Sequence, residues 1–166
     1  MNFIKDELEA SGELLISRKL TVAVAESVTS GFLQAAFSSV TNARKFFQGG
    51  ITAYNLGQKV RHLQVEPIEA ESSNCVSAYV AGEMANQVRQ MFLSNFGISI
   101  TGYAAPVPEI GIEDVYAFYS ISYNGDEVKS GKLESTVLDS VEVQLYFTNK
   151  VIAAFHDVLV NMQLSI

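Results

Sequence analysis

Residues 21–32 read Thr-Val-Ala-Val-Ala-Glu-Ser-Val-Thr-Ser-Gly-Phe, and this stretch decides the fold. It begins with small and β-branched apolar residues, the pattern of a strand buried at the centre of a sheet. At Glu26 the residues become charged, hydroxylated or small, and from Phe32 onward apolar residues recur at helical spacing. A strand that leads through a polar turn into a helix is where α/β proteins bind ligands, at the mouth of the sheet.

Ser27 lies in this polar turn, and its hydroxyl has two interpretations. It can serve as a nucleophile. It can also cap the following helix, because serine and threonine are preferred N-cap residues. On the turn alone, the cap is the simpler interpretation.

Length and composition indicate a soluble globular protein. The chain has 166 residues, of which 48% are hydrophobic and 17% charged, which suits a single domain over residues 1–166. No apolar run reaches the roughly 18 residues that a membrane span needs, and the acidic N-terminus does not resemble a signal peptide. The formal net charge of −7 argues against nucleic acid as the main partner, because phosphate binding needs clustered Lys and Arg.

Cysteine usage predicts the compartment. The chain has one cysteine, Cys75, which forms no intramolecular disulfide, so we predict a cytoplasmic location. Cys75 precedes a helical pattern among polar residues, and we interpret it as a small, partly buried residue rather than a nucleophile.

Hydrophobic periodicity predicts the order of the elements. The predicted helices are 3–19, 30–40, 77–93 and 139–163, and the predicted strands are 21–25, 51–54, 98–101, 115–123 and 128–137. Asn124-Gly125 is a strong hairpin signal between the last two strands. Residues 44–47 are predicted as a helical turn, and the acidic stretch around Pro67 as an exposed connection. This order predicts a three-layer α/β/α sandwich with a mixed sheet, in which the hairpin supplies the antiparallel part.

Most candidate polar groups fall in three loops that follow strands, at 26–31, 54–59 and 101–106. If those strands are parallel neighbours, the three loops meet at one edge of the sheet. A serine beside a lysine whose pKa is lowered by burial is a nucleophile–base pair. Ser27 and Lys59 are candidates for that pair, with the backbone N–H groups of Val28 and Thr29 as donors to an oxyanion.

Lys59, Tyr54 and Thr101 each also have an ordinary structural interpretation. Lys59 on a helical turn is typical of a solvated charge. Tyr54 after a strand is typical of an aromatic residue at the edge of the core, and Thr101 is a common strand residue.

Several segments together resemble the CinA C-terminal domain family, which includes stand-alone nicotinamide-nucleotide amidases. Residues 25–31 resemble the family's A-E-S-C-T-G-G motif, and residues 49–54, with Lys59 five positions on, resemble its G-G-(apolar)-x-x-Y-x-N-E-x-K. Residues 101–106 resemble T-G-I-A-G-P, and shorter matches at 63–65 and 76–77 keep the same order. The resemblance covers about residues 10–160.

The resemblance implies a three-layer α/β fold and the hydrolysis of nicotinamide mononucleotide to nicotinate mononucleotide and ammonia. It implies that Ser27 is the nucleophile, Lys59 its general base and Tyr54 an aid to proton transfer. The remaining positions that it assigns to substrate binding are Glu26, Val28, Thr29, Ser30, Gly31, Thr101 and Gly102. No metal or other cofactor is implied, and His62 and His156 lack ligand-like neighbours.

The departures from the family pattern keep other functions open. Ser140 and Gln144 stand where the family usually has arginines at the start of the last helix, and Glu109, Glu113 and Asp114 are expected near the predicted pocket. One hypothesis is therefore an amidohydrolase acting on a small-molecule amide, with a nucleotide as one candidate. The alternative is a catalytically inactive relative that acts as a binding or oligomer-forming protein. A third hypothesis is a scaffold whose apolar C-terminal helix forms a homodimer interface.

Overall fold

A computed structural model describes residues 2–137 and 139–162 of the chain. Its strands are β1 (Val22–Glu26), β2 (Phe47–Thr52), β3 (Phe96–Gly102), β4 (Val115–Tyr123) and β5 (Asp126–Ser135). Its helices are α1 (Lys5–Arg18), α2 (Phe32–Ser38), α3 (Leu56–Leu63), α4 (Pro67–Ser72), α5 (Ala78–Met91) and α6 (Ser140–Asn161). Residue 163, the predicted end of the last helix, lies outside the described residues.

The five strands form one mixed sheet in the order β2-β1-β3-β4-β5. Strand β1 pairs in parallel with both β2 and β3, whereas β4 pairs antiparallel with β3 and β5. The register places Glu26, the last residue of β1, beside Thr52 of β2 and Ile100 of β3. The chain therefore leaves all three parallel strands at the same edge of the sheet, where the predicted polar loops meet.

Helices cover both faces of the sheet, because alternate residues of β1 point to opposite sides. Val22 and Val24 belong to a core that includes side chains of α1, α2 and α6. Ala23 and Ala25 belong to a second core with side chains of α3, α4 and α5. All five residues of β1 are buried. The predicted three-layer α/β fold with a mixed sheet is confirmed.

Strand β2 begins earlier than predicted. A short 3-10 turn over Ala43–Lys45 precedes it, and the strand runs from Phe47 to Thr52 through the Gly49-Gly50 pair, so residue 47 belongs to the strand and not to the predicted helical turn. Glycine is needed at position 50, because a Cβ there would lie 2.6 Å from Val24 Cγ2. Gly50 therefore lets β2 approach β1 closely, and at Gly49 a Cβ would lie 2.9 Å from Phe92 Cε1.

The acidic segment after α3 is helix α4 and not the exposed connection that was predicted. Its first residue is Pro67, whose fixed φ suits the start of a helix. The Glu66 carboxylate accepts from the Glu69 amide at 2.7 Å and caps the helix. Within residues 2–137 and 139–162, no helix combines the length and the apolar character that crossing a membrane requires.

Candidate active site

Ser27 and Lys59 are brought together at the edge of the sheet where β1 and β2 end. Ser27 directly follows β1, and its amide extends the ladder to the Ile100 carbonyl of β3 at 3.1 Å. Lys59 lies one turn into α3, the helix that follows β2. Its Nζ donates to Ser27 Oγ at 2.9 Å and to the Tyr54 carbonyl oxygen at 3.3 Å. The parallel pairing of the two strands thus joins two side chains that are 32 positions apart.

Lys59 is one of the largest side chains buried in the protein, with 1% of its surface exposed. Burial disfavours the charged ammonium and lowers the pKa of Lys59 below 10.5, and the nearby Cys75 thiol opposes this shift only in part. A carboxylate would hold the amine in its charged form, but the hydrogen-bond partners of Nζ are a hydroxyl and a carbonyl. The amine is therefore set to lose its proton more readily than an exposed lysine. The interpretation of Lys59 as a solvated charge was wrong.

The helix-cap interpretation of Ser27 was also wrong. Helix α2 begins at Phe32, with Gly31 in the N-cap position at a φ of 109° and without a side-chain cap from that residue. Ser27 lies four residues before Gly31, in the turn between β1 and α2, and its hydroxyl contacts Lys59 instead.

The carboxylate of Glu26 performs the capping that was considered for Ser27. Its Oε2 accepts from Thr29 Oγ1 at 2.5 Å and from the amides of Gly31 at 3.1 Å and Leu33 at 3.0 Å. Its Oε1 accepts from the Gln34 amide at 2.8 Å. Glu26 is fully buried, so these donors replace the water that an ionised carboxylate requires.

These contacts separate the residues predicted to bind substrate into two groups. The side chains of Glu26 and Thr29 are buried and bonded to each other, and with Ser30 and Gly31 they lie outside the lining of the cleft beside Ser27. Val28, Thr101 and Gly102 do line that cleft. The first group shapes the turn that presents Ser27, and only the second group faces the space next to the hydroxyl.

Tyr54 contributes to the site through its backbone. Its carbonyl oxygen accepts from Lys59 Nζ, whereas its side chain is 69% exposed. Among the described residues, the phenol makes no hydrogen bond to Ser27 or Lys59. The interpretation of Tyr54 as an aromatic at the edge of the core was wrong, because the chain turns outward there to start α3.

The cleft has a volume of about 620 Å³ and opens over the Ser27–Lys59 pair. Residues from all three strand ends line it, together with the segment before α5 and the first turns of α6. Its lining is largely uncharged: among the described residues, Lys59 is the only charged side chain in it. The cleft is large enough for a small organic molecule.

Thr101 fixes one wall of this cleft. Its hydroxyl donates to the Cys75 carbonyl at 2.7 Å and so ties the end of β3 to the loop before α5. Both Asn74 and Cys75 have positive φ, at 49° and 63°, a conformation that non-glycine residues seldom adopt. The loop is therefore held in a strained shape where it faces the cleft.

Two cleft residues had no functional assignment from the sequence. Cys75 is buried, and burial raises the pKa of its thiol while the nearby Lys59 opposes that shift. The interpretation of Cys75 as a small, partly buried residue left out its position beside Lys59. Gln144 of α6 donates through Nε2 to the Val28 carbonyl at 2.8 Å and anchors the turn that carries Ser27. Neither contact has a signal in the sequence, because both join segments far apart in the chain.

The capping role of Glu26 leads to a stability prediction. Glu26→Gln replaces one acceptor oxygen with an amide that cannot accept from the backbone N–H groups at the start of α2. We expect the free energy of unfolding to fall by about 2 kcal/mol, because a buried charge-assisted hydrogen bond is lost and a donor is left unsatisfied. Urea unfolding of Glu26→Gln measures this change, and the exposed Glu13→Gln is the matched control. Equal stability of the two variants would contradict the assigned cap.

The fold and the cleft define an α/β protein with a buried serine–lysine pair at the carboxyl edge of three parallel strands. The model of the CinA C-terminal domain matches residues 5–152. The chain belongs to the CinA C-terminal domain family.

Individual relatives agree with this assignment. Protein MG115 from Mycoplasma genitalium is 32% identical over 152 residues, which cover 90% of this chain and 95% of that protein. A CinA-like protein from Flavobacterium psychrophilum is 39% identical over 95 residues, or 57% of this chain. The chain spans 23% of the length of that protein and 32% of the length of a relative from Halothermothrix orenii.

Solved structures share the fold. The competence damage-inducible protein A (ComA) from Klebsiella pneumoniae superposes with a TM-score of 0.91 at 22% identity, over 98% of this chain and 100% of that one. A CinA superfamily protein from Escherichia coli gives a TM-score of 0.86 at 24% identity, over 95% of this chain and 90% of that one. At these identities the likeness concerns the fold.

Proposed function

We propose that the protein is an amidohydrolase that converts a carboxamide to a carboxylate and ammonia. The observation that carries this proposal is the buried amine of Lys59, 2.9 Å from the Ser27 hydroxyl and open to a cleft. Burial lowers the pKa of Lys59, so its amine is more readily available in the neutral form that accepts the serine proton, and an alkoxide is a strong enough nucleophile for an amide carbon.

The first half of the reaction forms an ester on Ser27. Ser27 Oγ attacks the carboxamide carbon while Lys59 Nζ takes the hydroxyl proton. The tetrahedral intermediate then collapses, its C–N bond breaks, and Lys59 returns the proton to the departing nitrogen, which leaves as ammonia. The acyl group remains bound to Ser27 Oγ.

The second half restores the enzyme. A water molecule attacks the ester carbon and gives a proton to Lys59 Nζ. The C–O bond to Ser27 breaks, Lys59 returns that proton to Oγ, and the product leaves as a carboxylic acid, which then gives its proton to the solvent. The sum of both halves is one amide and one water converted to one carboxylic acid and one ammonia, so Lys59 ends with the protons it had at the start.

Backbone amides next to Ser27 are the proposed donors to the oxyanion. The Ser27 amide is committed to the Ile100 carbonyl. The amides of Val28 and Thr29 donate to no acceptor among the described residues. Val28 lines the cleft and Thr29 does not, so the Val28 amide is the better placed of the two for a developing negative charge. The Glu26 cap and the Gln144 contact hold this turn in place before substrate binds.

Tyr54 is proposed as a positioning residue. Its carbonyl accepts one N–H of Lys59, which directs the amine toward the hydroxyl. Its part in the proton transfers is therefore to orient the Lys59 amine through its backbone carbonyl.

The family supports a carboxamide on a pyridine ring as the reacting group, with a nicotinamide nucleotide as one candidate substrate. At the level of the family, this chain is a relative of nicotinamide-nucleotide amidase-like proteins, whose substrates carry a carboxamide on a pyridine ring. Tyr103 lines the cleft, and its hydroxyl accepts from Asn74 Nδ2 at 2.8 Å. This contact holds one aromatic side chain at the wall where a flat ring can pack.

The test is ammonia release from nicotinamide, nicotinamide riboside and nicotinamide mononucleotide, followed with a coupled assay. We expect release from at least one of them, with one carboxylate formed for each ammonia. An activated ester of nicotinate should also acylate Ser27, which mass spectrometry of the quenched protein detects. If no compound releases ammonia and the ester leaves Ser27 unmodified, the proposal is overturned.

That negative result would favour the second candidate, a catalytically inactive relative that binds a ligand or forms an oligomer. The observation in its favour is two exposed acidic residues near the cleft: Asp139 directly precedes Ser140, and Glu109 is two positions after Val107, both of which line the cleft. They oppose the binding of an anionic nucleotide, the substrate type of the family resemblance.

A further inference from the structure

We infer that this cleft takes carboxamides that carry no phosphate, either uncharged or cationic, and that Asp139 enforces this choice. The inference rests on the proposed amidase function and specifies its substrate class. Three observations on the cleft lead to it: the absence of an available cation, the occupied start of α6 and the uncharged side chain of Gln144.

The first observation is the lack of a cation for a phosphate group. The sequence has 11 lysines and arginines, all within the described residues, and only Lys59 lines the cleft. Lys59 is buried at the base of the site, where desolvation lowers its pKa, and its Nζ is bonded to Ser27 and Tyr54. A phosphate ester carries about −1.5 to −2 charges at neutral pH, and nothing in this lining neutralises it.

The second observation is the start of α6, whose first residue, Ser140, lines the cleft. A helix N-terminus attracts anions through its free amides, but two of the amides at the start of α6 already donate to a side chain of the protein. Asp139 Oδ1 accepts from Val141 at 3.1 Å and from Glu142 at 3.0 Å. The carboxylate of Asp139 therefore caps two amides that could otherwise bind an anion beside the cleft, and Glu142 adds a second negative charge in the same turn.

The third observation is Gln144, one turn further along α6. Its Nε2 donates one of its two hydrogens to the Val28 carbonyl. The side chain is uncharged, so it offers a ligand in the cleft one further neutral N–H and the acceptor Oε1, but no positive charge. A phosphate group binds most strongly where an arginine or lysine neutralises it, and Gln144 does not do so.

The experiment compares two compounds that differ only by the phosphate, nicotinamide riboside and nicotinamide mononucleotide. We expect kcat/KM for the riboside to exceed that for the mononucleotide by about tenfold or more, because like charges at a binding site oppose association. Equal values, or a preference for the mononucleotide, would overturn the inference while leaving the amidase function intact.

Asp139→Ser tests the specificity residue, because serine keeps the cap and removes the charge. We expect the ratio of the two kcat/KM values to move toward the mononucleotide by about fivefold. The matched control is Asp126→Asn, which removes one negative charge at the opposite end of the sheet, where Asp126 pairs with Tyr123. An identical ratio in both variants would show that Asp139 does not select against phosphate.

If neither compound is hydrolysed, that result counts against the proposed function, and the inference is tested by binding instead. Calorimetric titration of the wild-type protein with each compound shows which of the two binds more tightly. Tighter binding of the riboside supports the inference. Tighter binding of the mononucleotide, or no heat from either compound at millimolar concentration, overturns it.

Discussion

Ser27→Ala is expected to lower kcat/KM for the best carboxamide substrate by about 10³-fold or more, the scale seen when a nucleophile is removed from a hydrolase. The reason is that the alanine variant has no oxygen to form the ester, while the cleft and the donors near residue 28 remain. The measurement is the rate of ammonia release at substrate concentrations well below KM. The control is Ser38→Ala, which removes an exposed hydroxyl that bonds only to the Ala35 carbonyl, and its rate should stay within about twofold of wild type.

The fold of the Ser27→Ala variant should be intact, because the side chain makes one hydrogen bond and leaves only a small void. Thermal unfolding and circular dichroism establish this before the rates are compared. Ser27→Cys adds a second test, since a thiol at the same position can still form a covalent acyl intermediate. If Ser27→Ala kept a third or more of the wild-type rate while folded, another group would be the nucleophile.

The sequence predicts the position of the serine–lysine pair because the relevant signal is local. The buried run 22–25 is short, strongly apolar and followed at once by polar residues, so both the strand and its exit are readable. The parallel pairing of β1 with β2 then determines that Ser27 and Lys59 leave the sheet at the same edge. The same logic places Thr101 there, at the end of β3.

What the sequence does not reveal is which side chains turn inward. Glu26 has the composition of a ligand-binding residue, but its position at the last pair of β1 directs it under the first turn of α2. Lys59 belongs to a helix in which four of eight residues are polar or charged, and only the tertiary packing of α3 shows that it shares a buried face with Leu63. Propensity and charge predict exposure for both, and tertiary structure overrides them.

The missed elements have a related cause. Helix α4 is six residues long, too short for periodicity to indicate it. Strand β2 carries two glycines, which are typical of a turn. Glycine is needed at position 50 because a Cβ there would collide with the neighbouring Val24. Signals of this kind depend on a second segment of the chain, and a pattern read along one segment does not contain them.

Lys59→Met is expected to separate catalysis from stability. It should lower kcat/KM by about 10²- to 10⁴-fold, the usual contribution of a general base. The same change removes a buried amine and substitutes an apolar side chain of similar length, so the folded state should become more stable. Ammonia release and urea unfolding of the same preparation measure the two effects, with Lys45→Met as the control for removal of an exposed lysine.

The pH dependence of both effects follows from the lowered pKa of Lys59. Between the pKa of Lys59 in the folded protein and 10.5, its ordinary value, the unfolded chain binds the proton and the folded chain does not. The wild-type protein should therefore gain stability as pH rises through this window. Lys59→Met lacks this gain, so its advantage over wild type should be largest below the folded pKa and should shrink toward pH 10.5.

The activity of the wild-type enzyme should rise as the pH approaches the folded pKa of Lys59 from below. The base is the neutral amine, so kcat/KM should increase with pH and level off above the folded pKa of Lys59, at a value below 10.5. The residual activity of Lys59→Met should lack this rise. A wild-type profile that falls with pH below the folded pKa of Lys59, or a Lys59→Met variant that loses stability at neutral pH, would show that Lys59 acts as a charged group and not as a base.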